Sequence, residues 1–163
     1  MAAGKQHGPL DPGSSAPAFR LALLAGGVAT LDEILAEGGS ALLAFFKVAC
    51  PVCQFTFPFL ERLRSAGKLA VYGVSQDDPQ GTAEFNRRFG VTFPTLLDSE
   101  ADGFPVSNAY GISSVPTLFL VEPGGAVSRV VEGWSRRDME WLAERASAAI
   151  FRPGERVPEW KPG

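Results

Sequence analysis

Two cysteines three positions apart, Cys50 and Cys53, are the residues of this 163-residue chain best suited to covalent chemistry. They close the run Phe45-Phe46-Lys47-Val48-Ala49-Cys50-Pro51-Val52-Cys53. A C-x-x-C pair has several uses, among them metal binding, a passive staple and dithiol–disulfide exchange. A structural zinc site takes four ligands, usually Cys and His. With 2 cysteines and 1 histidine, the chain cannot supply the common kinds, and a four-cysteine iron–sulfur site is excluded by the same count. A Cys/His or Ser/His catalytic pair would have to use His7. That residue sits in the Gly- and Ala-rich run 1–9, which reads as a loose segment with no catalytic role.

The elements around the pair favour exchange. The apolar run Ala41–Phe46 reads as a fully buried strand that delivers the chain to Cys50. Pro51 then suits the first position of a helix, where its missing N–H costs nothing. Cys50 therefore falls at the helix start, where free backbone N–H groups and the helix dipole favour a thiolate. Cys53 lies one turn further on, within bonding reach. Exchange needs this pairing: an exposed attacking thiol and a second that releases the mixed disulfide. Lys47 is a candidate tuner, since a nearby cation lowers a thiol pKa; a lysine at a strand end is also an ordinary solvated charge.

The remainder of the chain bounds the setting. Its length suits one domain. A hydrophobic share of 45% and a charged share of 20% are those of a globular protein. A net charge of -3 gives no basic face for nucleic acid. The apolar run is too short for a bilayer, which needs about 20 residues. The first 18 residues hold no apolar signal core, so the expected location is cytoplasmic, or periplasmic if a signal has been removed.

Helices and strands alternate. Thr30-Leu31-Asp32-Glu33 is a capping box for a short helix that stops at Gly38-Gly39. A helix runs through the cysteines to about residue 65, and 69–75 reads as a strand. Asp78-Pro79 opens a helix that ends at Gly90. A short strand at Thr95–Leu97, a brief helix near 106–110 and a hairpin of Thr117–Val121 with 126–131 follow. Ser135 caps a last helix with Met139, Leu142, Ala143, Ala146, Ala149 and Ile150 on one face. This order predicts an α/β protein with a central mixed sheet flanked by helices.

At these residues the chain resembles the thioredoxin-fold redoxins, in particular the TlpA-like thiol–disulfide reductases of the AhpC/TSA group. The resemblance covers about residues 16–151. It rests on Ala16-Pro17-Ala18-Phe19-Arg20-Leu21 and Leu31-Asp32-Glu33-Ile34-Leu35, similar to the family's N-terminal extension, and on Cys50-Pro51-Val52-Cys53 at the active-site motif. Pro58 falls where the family kinks its active-site helix. Phe93-Pro94-Thr95-Leu96-Leu97-Asp98, Ala109-Tyr110-Gly111-Ile112 and Val115-Pro116-Thr117 match later segments. The resemblance implies a thioredoxin-like domain over 16–151; the ends, 1–15 and 152–163, read from their Gly, Pro and polar residues as flexible tails. The resemblance also implies a cis Val115–Pro116 peptide facing the cysteines. Three positions depart from the family pattern. Ala44 stands where many thioredoxins carry a buried Asp, Thr56 where TlpA-like reductases often carry a Glu, and Ala49 where a Trp often precedes the first cysteine. Thr56 is expected to face the core beneath Cys53, so the usual proton acceptors for that thiol are missing.

The leading reading is a thiol–disulfide oxidoreductase. Cys50 attacks, Cys53 resolves, and Pro51, Val115 and Pro116 contact the substrate, an extended chain pairing strand-like with the Val115–Pro116 backbone. No organic cofactor and no metal are implied. The partners are a disulfide-containing protein or small thiol and an electron-donating thiol protein, with no nucleic acid and no membrane, and the chain is expected to act as a monomer. One alternative is a thiol peroxidase, but the P-x-x-x-[ST]-x-x-C signature fits neither register. It puts Phe46 and Cys50 at the Pro and Thr/Ser places with Cys53 as the reacting residue, or Leu43 and Lys47 with Cys50. A second alternative is a non-catalytic thioredoxin-like adaptor, which would not need both cysteines at this spacing.

Overall fold

A computed structural model describes residues 8–163; His7 lies outside them. The strands are β1 (Arg20–Leu23), β2 (Val28–Thr30), β3 (Ala41–Phe46), β4 (Ala70–Ser75), β5 (Thr95–Leu97), β6 (Thr117–Val121), β7 (Val127–Glu132), β8 (Trp134–Ser135) and β9 (Trp160–Lys161). The helices are α1 (Leu31–Gly38), α2 (Pro51–Ser65), α3 (Pro79–Phe89), α4 (Pro105–Ala109) and α5 (Arg136–Arg145). Seven strands make one mixed sheet in the order β2-β1-β5-β4-β3-β6-β7. At its centre β3 runs parallel to β4 and antiparallel to β6.

All six residues of β3 are buried, because helices cover both faces of the sheet. Successive side chains of a strand point to opposite faces, which divides them between two cores. Leu42, Ala44 and Phe46 join Phe57, Leu60 and Leu63 of α2, Phe85 of α3 and Met139 and Leu142 of α5. Ala41, Leu43 and Phe45 join Leu31 and Ile34 of α1, Val106 of α4 and Tyr110. The helix starts are capped at the expected residues. Thr30 Oγ1 accepts the Glu33 N–H at 3.2 Å, Asp78 Oδ1 that of Gly81 at 2.7 Å, and Ser135 Oγ that of Asp138 at 3.2 Å.

The structure corrects the expected picture at both ends and in the last helix. Residues from Leu10 onward are packed, so the flexible tail expected over 1–15 does not reach that far. Leu10 is buried and its N–H donates to Tyr110 O, Gly13 N–H donates to Val127 O, and Ser15 bridges to Ala126. The helix expected to present Ala149 and Ile150 ends at Arg145. Ser147 takes a positive φ of 52°, which no helix continues, and Ala149 is exposed. The C-terminal tail is held on the body. Arg62 forms a two-point ion pair with Glu155 at 2.8 and 3.0 Å, Trp134 Nε1 donates to Pro158 O at 2.7 Å, and β9 pairs with β8.

Beyond the end of β6, Glu122 accepts from Arg145 Nη2 at 2.7 Å and from the Ser40 and Ser128 hydroxyls. The Arg145 guanidinium, helped by those hydroxyls and opposed by burial, holds the Glu122 carboxyl at about 2. A carboxyl depressed on folding adds stability above its unfolded value and loses it as pH falls toward the folded one. Glu122→Gln is expected to cost about 1 kcal/mol at neutral pH, a figure set by partial exposure. The cost should shrink as pH falls from about 4 toward 2. Urea unfolding of both chains at several pH values measures it.

Candidate active site

Cys50 is the N-cap of α2, with extended backbone (φ −80°, ψ 115°), and Pro51 opens the helix. Its Sγ accepts the Cys53 N–H at 3.1 Å, so one of the helix's unpaired donors points at the sulfur. Cys50 is partly exposed, whereas Cys53 is fully buried, and both are free thiols. Burial pushes the Cys53 thiol pKa well up, and its contacts with Cys50 add to the rise. The main chain of Lys47 pulls the other way. The Lys47 side chain itself is exposed.

The turn that carries Cys50 is fastened from two directions. Cys50 N–H donates to Lys47 O at 3.2 Å, Asp77 Oδ2 accepts the Val48 N–H at 2.8 Å, and Gln54 Nε2 donates to Val48 O at 2.9 Å. Neither Asp77 nor Gln54 was expected from the sequence. The available signal was the place of Asp77 two residues past the end of β4, on the side where parallel strands end and functional loops gather.

Opposite Cys50 lies the loop before β6. Its Val115–Pro116 peptide is cis, and the Val115 carbonyl accepts the Cys50 Sγ–H at 3.4 Å. Val115 is half-buried, Pro116 buried and Pro51 exposed. The structure thus brings together Cys50, Cys53, Pro51, Val115 and Pro116 at one end of the sheet. Ala44 and Thr56 are both fully buried, and Thr56 Oγ1 has no hydrogen-bond partner among the described residues. α2 continues through Pro58, whose ring leaves the Gln54 carbonyl without its helical donor.

A buried strand, a two-thiol helix start and a facing cis-proline loop define a thioredoxin-like fold. The chain belongs to the AhpC/TSA family, whose match spans residues 12–130. It is 31% identical over 125 residues to the thiol-disulfide oxidoreductase ResA of Geobacillus thermodenitrificans, covering 74% of this chain and 69% of that one. The Bacillus subtilis ResA is 30% identical over 141 residues, covering 84% and 75%. Among solved structures, the thioredoxin domain of a Bacteroides vulgatus thiol-disulfide oxidoreductase superposes with a TM-score of 0.73 at 25% identity. That superposition covers 83% of this chain and 97% of the other. The expectation of a cytoplasmic location draws no support from these relatives.

Proposed function

We propose that Cys50 is the attacking thiol and Cys53 the resolving thiol of this chain's disulfide exchange. The chain is a thiol–disulfide oxidoreductase, in keeping with its relatives. The Cys50 thiolate attacks one sulfur of a substrate disulfide, and the other sulfur leaves as a thiolate that takes up a proton. Cys53 then loses its proton and attacks Cys50 Sγ. This forms the Cys50–Cys53 disulfide and releases the second substrate thiol. Two electrons pass to the substrate, and a donor thiol returns them in the next cycle. The observation that carries this reading is the contrast of a partly exposed Cys50 capping α2 with a buried Cys53 one turn below it. Pro51, Val115 and Pro116 border the path by which a substrate sulfur reaches Cys50.

Limiting iodoacetamide should therefore label Cys50 first, as read by peptide mass mapping. Preferential labelling of Cys53 would overturn the assignment and favour the peroxidase alternative. The direction of electron flow follows from the potential of the couple. A value near about −270 mV marks a reductant and one near about −120 mV an oxidant.

A further inference from the structure

We infer that residues 160–163 occupy the place a substrate chain would take beside Val115, so that Cys50 is open to small disulfides and gated against extended chains. The inference rests on the exchange reading above and adds the substrate class to it. It starts at Gly133. This residue has a φ of 72°, and a Cβ there would lie 2.3 Å from Lys161 O and 2.8 Å from Gly163 N. Only glycine lets the 161–163 backbone lie this close to the connection between β7 and β8. Gly133 N–H in turn donates to Pro116 O at 2.7 Å, so the segment, Gly133 and the cis-proline loop lie side by side. At the end of this path, a Cβ on Gly163 would stand 2.9 Å from Val115 O and 3.1 Å from Ser114 Oγ. That same Val115 carbonyl accepts the Cys50 Sγ–H. A chain pairing with the Val115 backbone would therefore meet Gly163.

The segment is also tied to the cysteine helix, because the Lys161 ammonium lies 5.4 Å from the centre of the Phe55 ring on α2. Its hold is nonetheless slight. The β8–β9 pairing has two residue pairs, and Trp160 is 63% exposed. A ladder this short opens easily on its own. Cys50 keeps partial exposure with the segment in place, so a small disulfide does not need it to move.

The test compares the full chain with one ended after Glu159, which keeps the Trp134–Pro158 hydrogen bond. Each is assayed with hydroxyethyl disulfide and with a peptide of about ten residues closed by a disulfide. If the segment is displaced in about a tenth of molecules, removing it should raise kcat/KM on the peptide about tenfold and leave the small disulfide unchanged. Equal ratios for the two chains would overturn the gate. Hydrogen exchange on the full chain supplies a readout that needs neither a variant nor turnover. A bromoacetyl peptide attached at Cys50 should deprotect the Lys161 amide, which pairs with Trp134, whereas iodoacetamide at Cys50 should not. Protection unchanged by the peptide would overturn the gate. A chain inert toward both disulfides, with the exchange result as expected, would instead overturn the exchange reading and leave the segment's placement standing.

Discussion

Resolution of a mixed disulfide on Cys50 should speed up about tenfold for each pH unit from 6 to 9, since the thiolate of Cys53 is the attacking species. The sign follows from the site. Burial raises the Cys53 pKa, so the thiolate is scarce at neutral pH and its fraction grows with every proton removed. Neither neighbouring position offers a base: Ala44 has no polar side chain, and the buried Thr56 carries a hydroxyl. Thr56→Glu places a carboxylate in the turn after Cys53. A positioned base is typically worth about 10²–10⁴-fold, and a pocket not shaped for it should give about tenfold at pH 7. The same substitution should cost about 1–3 kcal/mol of stability, the penalty of a poorly paired buried polar group. Stopped-flow release of the second thiol, followed across pH in both chains, measures the effect. A parent profile that is fast and flat at pH 7, unchanged by Thr56→Glu, would show that another group takes the proton.

The second large effect concerns Trp134. It is fully buried and packs against Phe55 at 4.8 Å and Phe59 at 4.9 Å between ring centres, beneath the cysteine helix. Its Nε1–H also holds Pro158. Trp134→Ala should lower stability by about 3–5 kcal/mol, the range for a large aromatic lost from a packed core. Against a total of about 5–15 kcal/mol this can leave the chain partly unfolded at 37 °C. Trp134→Phe keeps most of the packing and removes the hydrogen bond, and should cost about 1 kcal/mol. Urea unfolding distinguishes the two; equal losses would mean that the hydrogen bond rather than the ring carries the stabilisation.

The central strand, the caps and the cysteine geometry were legible in the sequence because each rests on a local rule. A continuous apolar run, a hydroxyl or carboxylate before a helix, and Pro51 at a helix start all act within a few residues. The cis Val115–Pro116 peptide was legible only through family resemblance, since Val-Pro alone does not choose its isomer. The hairpin of β1 and β2 and the pairing of β8 with β9 were not legible. Two- to four-residue strands carry little periodic signal, and β9 in addition meets β8 only across the whole of α5 and the segment after it. Asp77 is hidden for a related reason, since it reaches Val48 from another element 29 residues away, whereas Gln54 is close in sequence but nothing in its residue type names the Val48 carbonyl as its partner. The last helix is shorter than its apolar spacing predicts, because Ala146 and Ile150 stay buried after the helix has ended at Arg145.

The division of labour between the two thiols can be tested by removing the second. Cys53→Ser, incubated with a disulfide substrate, should accumulate a covalent adduct of half the substrate. Peptide mapping should place it on Cys50, whereas the parent chain should show only an internal disulfide two hydrogens lighter than the reduced form. An adduct on Cys53 of a Cys50→Ser chain, with none on Cys50 of Cys53→Ser, would contradict the assignment of Cys50 as the attacking residue.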